Sequence, residues 1–280
     1  MGTLTVEQVV KGIQQVPSPS VVVLEILASF DRDNIDTAGL VQKIGQDQGL
    51  TARVLRVANS PFYGMSSKIG SVGEAMVVLG FHNVRSLVAA AGIIDQFAVA
   101  ESNGLDRPAF WQHSIGTAVC AQVLARALGK NQALAFTAGL LHDIGRLALD
   151  TYFHAESKAV MARSAADDSS LVDAECAEIG VDHGLIGYEL AKRWKFPVSI
   201  QQAIRDHLRP DRESAVLTDL VHVANVLCHA LDIGNAGYDE MVPPLSSGAW
   251  TRLGLDWDAM PALLAEIERQ YAGAHLLLGE

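Results

Sequence analysis

Apolar residues along this chain recur at steps of three and four, and no stretch alternates apolar with polar for long. That rhythm predicts helices and no sheet. A first amphipathic helix is expected over residues 3–15, closed by Val16-Pro17-Ser18-Pro19, where proline forbids a further turn. Ser18 or Ser20 then caps a second helix over 21–30, and Asp36-Thr37 opens a third with Leu40, Val41 and Ile44 facing inward. Further helices are expected over 51–59, 71–79 (ended by Gly80) and 84–97, with a turn at Asn59-Ser60-Pro61-Phe62-Tyr63-Gly64. In that turn Asn59 is expected to bridge backbone groups, while Phe62 and Tyr63 serve either as anchors to the core or as an exposed docking point. The polar, Gly- and Pro-bearing stretch 101–108 reads as a short linker. Beyond it the spacing predicts helices over 109–128, 132–153, 171–180, 184–194, 198–207, 216–231 and 257–277, with a loop over 233–248. The expected architecture is all-α, in two packed helical lobes covering 1–100 and 109–280.

Composition narrows the partners. The 280 residues are 49% hydrophobic and 19% charged, with a net charge of −11 and no run of Lys or Arg, so a nucleic-acid backbone is disfavoured. Cys120, Cys176 and Cys228 are widely spaced and odd in number, which points to reduced, mostly buried thiols in a cytoplasmic protein. No apolar run reaches membrane-spanning length, and the N-terminus reads as an amphipathic helix rather than a signal peptide. No membrane role is expected.

The chemistry concentrates in Leu140-Leu141-His142-Asp143-Ile144-Gly145-Arg146-Leu147, where the His-Asp pair is expected within or at the end of a buried helix. An imidazole and a carboxylate on adjacent residues can share one cation, and the flanking apolar side chains bury the pair. Buried ionisable groups need partners. A metal ion is one answer, and a hydrogen-bond network within the protein is the other.

Several ordered motifs carry a family resemblance over nearly the whole chain. They are Pro17-Ser18-Pro19, Gln46-Asp47-Gln48-Gly49-Leu50-Thr51, Ala58-Asn59-Ser60-Pro61-Phe62-Tyr63-Gly64, Leu79-Gly80-Phe81, Phe110-Trp111-Gln112-His113-Ser114, and the His142-Asp143 segment. With these the chain resembles the HDOD family, relatives of the HD-domain metal-dependent phosphohydrolases. The resemblance implies a two-lobed helical fold and a bacterial signalling role, as an output module that stands alone or is joined to response-regulator or other sensory domains.

Carried over residue by residue, the resemblance implies metal ligands at His113, His142 and Asp143. The final aspartate of the HD pattern is replaced by Asn225, which brings an amide oxygen but no charge. His183 and His207 fall where cyclic-dinucleotide-cleaving relatives hold a second metal, yet the Gly-Tyr-Pro signature of those relatives is missing after Asp206-His207. The six residues therefore read as a remnant site suited to iron, zinc, nickel or manganese. The alternative for His113 is a core histidine bonded to Asp143, with Asn225 completing the network and His183 and His207 capping helix ends. His82, His154, His222, His229 and His275 have no matched role and are assigned to packing or surface. The function expected is regulation by binding a protein partner in a signalling pathway, without catalysis. The alternatives are a phosphohydrolase or phosphodiesterase acting on a nucleotide or cyclic dinucleotide, and a sensor that binds a nucleotide without cleaving it.

Overall fold

The helices begin where short polar side chains can satisfy their first N–H groups. In α1 (Val6–Ile13) Thr5 and Gln8 form a reciprocal capping box. Ser20 caps α2 (Val21–Ala28), which ends in a short 3-10 turn, Ser29–Asp31. Asp36 caps α3 (Thr37–Gln46), and Ser71 caps α5 (Val72–Leu79). Each such cap contributes about 1 kcal/mol. The computed structural model describes residues 3–31, 36–59, 68–97, 104–210, 215–233 and 241–274, and these contain no strand. Between α3 and α5 lies α4 (Gln48–Ala58), and after Gly80, at φ +81, comes α6 (Phe81–Phe97).

The second half is built around α7 (Arg107–Ala127), which is apolar nearly all round and buried on every face. A helix of that kind needs neighbours on all sides. It packs against α8 (Gln132–Leu141), α14 (Val216–Ala230) and α16 (Met260–Ala274). Next to these, α9 (Ile144–Tyr152) packs on α12 (His183–Arg193), α12 on α13 (Val198–Asp206), and α10 (His154–Asp167) on α11 (Leu171–Glu178).

Three features depart from the expected element map. The run over 132–153 is two helices, α8 and α9, not one, and His142-Asp143 lies in the break, at a helix end as one of its two expected placements had it. Helix α10 was not expected because, of its fourteen residues, only Ser157 and Val160 are buried, which leaves almost no apolar periodicity to read. Helix α15 (Ser247–Leu253) takes the end of the expected loop, capped by Ser246. Asn59 does bridge backbone groups, donating to the carbonyls of Leu55 and Ile69 and accepting from Ile69 N–H at 2.7 Å. Residues 60–67, with Phe62 and Tyr63, lie outside the described residues.

One apolar cluster runs from α2, α4, α5 and α6 into α9, α12 and α13; a second fills the space between α7, α8, α14, α15 and α16. Helix α1 belongs spatially with α12 and α9. Leu4 N–H donates to the Ile179 carbonyl at 2.7 Å, and Arg193 donates to the Ile13 carbonyl at 2.9 Å. No helix among the described residues is long and apolar enough to cross a membrane.

Two glycines flanking the His-Asp break set its position. A Cβ on Gly139 would come within 2.9 Å of the α7 backbone at Thr117 and Ala118, and one on Gly145 within 1.9 Å of the His183 carbonyl. Only glycine lets α8 and α9 approach α7 and α12 this closely. Gly145→Ala is expected to destabilise the fold by about 2–3 kcal/mol, since backbone and not a flexible side chain must give way. Gly45→Ala, on the exposed face of α3 with nothing within 4 Å of the added carbon, is expected to stabilise by up to about 1 kcal/mol. Urea unfolding of both variants measures the contrast; equal effects would remove the close-approach argument.

Candidate metal centre

The seam between the two apolar clusters is polar, and five helix segments meet there. His113 comes from the middle of α7. His142 and Asp143 occupy the α8–α9 break, with Asp143 at φ −98, ψ 14, which turns the chain between the two helices. His183 is the first residue of α12, placed by the Asp182 cap, whose carboxylate accepts from Leu185 N–H at 2.8 Å. His207 is the C-cap of α13. Helix ends deliver four of the five histidine and carboxylate positions because a terminus can aim a side chain along the seam while its helix lies in apolar surroundings.

The three imidazoles nearest Asp143 share one orientation. His142 donates Nδ1–H to the Gly139 carbonyl at 2.7 Å, His207 to the Ile204 carbonyl at 3.0 Å, and His183 to Glu175 Oε2 at 2.8 Å. Each Nε2 then faces Asp143 Oδ1, at 3.4 Å from His142, 3.0 Å from His183 and 3.3 Å from His207. Fixing Nδ1 through a carbonyl or carboxylate and presenting Nε2 is how proteins orient imidazoles toward a metal. His113 joins from the other side: its ligand atom lies with those of His142 and Asp143 within 4.8 Å of one another, as do those of Asp143, His183 and His207. Asp143 is the member common to both groups.

The electrostatics agree. Burial works against the Asp143 charge, yet Arg146, then His142 and His183, hold its carboxyl well below the usual range. Burial, together with His207 and His113, pushes His142 well down against the pull of Asp143, so its ring is neutral. Burial alone would lower His183 too, but Glu175 and Asp143 more than offset it and raise it to about 9. A proton at His183 Nε2 stands in for a cation among lone pairs that otherwise repel the carboxylate.

The donor set of imidazole nitrogens with one carboxylate fits a divalent transition metal, and three of the rings are already held by outer hydrogen bonds. Asn225 is buried on the face of α14 that also carries His222 and His229, and its Oδ1 has no hydrogen-bond partner. That leaves the protein-only network incomplete at Asn225, where a purely hydrogen-bonded core would close.

The HDOD domain model matches residues 16–210. The chain belongs to the HDOD domain family. A crystal structure of an HDOD domain protein with unknown function from Geobacter sulfurreducens superposes with a TM-score of 0.84 at 25% identity, covering 98% of this chain and 99% of that one. An uncharacterized protein of Treponema pallidum is 26% identical over 246 residues, 85% of this chain and 46% of that protein. Ribonuclease Y of Latilactobacillus sakei is 27% identical over 209 residues, 73% of this chain and 34% of the enzyme. The chain therefore spans less than half the length of these two curated relatives.

Several residues that organise this HDOD site were not singled out from sequence. Glu175 is a fully buried carboxylate that accepts from both His183 Nδ1 and the His183 backbone N–H, each at 2.8 Å. Its signal was available: with Leu171 and Ala174 it occupies the buried stripe of α11, where a charge needs a reason. Two histidines assigned to packing also belong here. His222 donates to the His207 carbonyl at 2.8 Å and accepts from Ser246 N–H at 2.9 Å, and the His229 ring lies 4.5 Å from that of His113. Cys228 Sγ lies 3.6 Å from His113 Nδ1. Burial would raise this thiol, but hydrogen bonding from Cys120 and the adjacent His113 draw it down to about 5.

If Glu175 orders His183, then Glu175→Gln, which keeps shape and loses charge, lowers metal affinity by about 10–100-fold. Competition against a chromophoric chelator measures this. Unchanged affinity would remove Glu175 from the centre.

Proposed function

We propose that this chain is a bacterial signal-transduction output module that acts by binding a protein partner, and that its His/Asp centre holds a divalent metal as an internal brace. Closure of the site is the observation that supports this reading. His113, His142, Asp143, His183 and His207 are all at most 2% exposed. The cavity next to Arg146 and Glu175, the side chains that contact these ligands from outside, has a volume of about 30 Å³. That is room for one or two waters, against the several hundred Å³ of an ordinary small-molecule site. A catalytic metal needs an open position and room for the substrate.

Charge supports the same reading. Phosphoryl and phosphodiester chemistry needs cationic groups around the reacting phosphate. Arg146 is the arginine beside the centre, and it is engaged there, 3.6 Å from Asp143 Oδ2 and 3.4 Å from His183 Nδ1. When bound, a metal would supply a cation tying α7, the α8–α9 break, α12 and α13 into one joint, with His113, His142, Asp143, His183 and His207 as its holders. The role of the chain's own residues is positional. Gly139 O, Ile204 O and Glu175 orient the rings, and the apolar clusters on either side exclude water. A surface braced in this way is suited to rigid presentation to a partner protein. No role in binding nucleic acid or membrane is proposed for a chain of net charge −11.

A second reading, phosphodiester hydrolysis, is favoured by the relatives that are ribonuclease Y and by the position of Asp143 in two ligand groups, as a carboxylate shared by two metal ions would be. One experiment separates the two. Elemental analysis of protein purified without chelator is expected to find zinc, iron, nickel or manganese at one equivalent or more, lost in His142→Ala. With that metal present, bis(p-nitrophenyl) phosphate, a cyclic dinucleotide and a short single-stranded RNA are expected to remain uncleaved. Turnover that disappears in Asp143→Asn would reverse the conclusion in favour of the enzyme.

A further inference from the structure

A centre this deeply buried still has to acquire its metal. We propose that the small cavity between α9, α10 and α11 is the exchange port through which a divalent cation reaches and leaves the His/Asp centre. The inference rests on the metal-holding reading above and adds the route.

The lining of the cavity supports it. Its inner wall includes Arg146 and Glu175, the two side chains in contact with candidate ligands from outside: Arg146 approaches Asp143 and His183, and Glu175 holds His183. Its polar walls add Asp150 and Ser157. Its rim includes Met161, which is 39% exposed and so connects the cavity with solvent. The space thus runs from Met161 past Ser157 to Glu175 and Arg146, which themselves contact His183 and Asp143.

Five of the nine residues lining the cavity are apolar, so a cation that has shed most of its water depends there on the few oxygens the walls offer. A cavity of about 30 Å³ cannot pass a fully hydrated divalent ion. A bare charge crossing apolar surroundings is very costly, and carboxylate oxygens along the way replace the lost hydration. Glu175 and Asp150 provide such oxygens, and Glu175 already contacts His183. Arg146 has the opposite sign and stands between cavity and carboxylate, so it must move aside for each passage. Arg146 is therefore the barrier, and exchange is slow and sensitive to the shape of the port.

The test is kinetic. The full chain is loaded with zinc and mixed with excess chromogenic chelator, and both zinc equivalents and release rate are read. Ser157→Leu, which fills the cavity, is expected to retain wild-type equivalents and to release zinc about tenfold more slowly. Met161→Ala, which widens the mouth at an exposed position, is expected to release it faster with the same equivalents. If Ser157→Leu does not fold, Met161→Ala decides alone. Wild-type release rates in both variants, at full stoichiometry, would overturn the port and leave the metal centre standing. A wild-type chain that retains no zinc and no other divalent metal would overturn both.

Discussion

Everything about this fold turns on one buried carboxylate. Asp143 lies in the seam between two apolar clusters, ionised, with three imidazole Nε2 atoms 3.0–3.4 Å from a single oxygen. An ionised group in such surroundings is affordable only when the protein or a bound ion returns the solvation it has lost. Arg146 supplies part of that, and the protonated His183 another part. These two groups are also the ones a metal would disturb, Arg146 as its electrostatic competitor and His183 by surrendering its proton. Under the proposed metal-holding role, the same side chains would serve two states, one filled by a proton and one by a metal.

Local sequence choices make that carboxylate's position unavoidable. The helix breaks at His142-Asp143 and restarts at Ile144, so the pair points sideways into the seam instead of along a helix face. Gly139 and Gly145 bring the backbones of α7 and α12 in from either side. Asp182 caps α12 so that His183 enters the site as its first residue, and His222 ties the last turn of α13 to α14 through the His207 carbonyl. None of these devices is strong alone; about 1 kcal/mol is typical of a cap or a hydrogen bond. Their effect is geometric: each removes a degree of freedom from one ligand.

The all-α class and most helix starts were legible because they are local. Proline and glycine stops, N-cap residues and 3.6-residue periodicity act within a few positions of one another. Helix α10 was not legible, since a helix held by Ser157 and Val160 alone has little periodicity. The split of 132–153 was hidden as well, because an apolar run reads as continuous helix whether or not it bends. In the site, His113, His142, Asp143, His183 and His207 were carried over from the family resemblance, and the fold brings them together. Glu175, His222, His229 and Cys228 were not singled out. They act on the ligands rather than in a motif, and contacts between α11 and α12, or between α7 and α14, have no signature in spacing.

The replacement of aspartate by Asn225 looks at first like the loss that silences the site, but the charges around it argue otherwise. Cys228, one turn further along α14, is drawn toward its thiolate beside His113, and Glu175 carries a negative charge behind His183. Negative charge has moved from the ligand shell to the groups holding the ligands. Such an arrangement can keep a cation bound while leaving its ligands mostly neutral. Ligand count alone would thus not separate a silent HDOD centre from an active relative. On the proposed reading, what separates them is access. A substrate phosphate needs an open coordination position and several hundred Å³, whereas the five candidate ligands here are at most 2% exposed. Restoring the aspartate would change affinity without exposing the ligands, so on this reading the site's chemistry is limited by burial more than by the identity of residue 225.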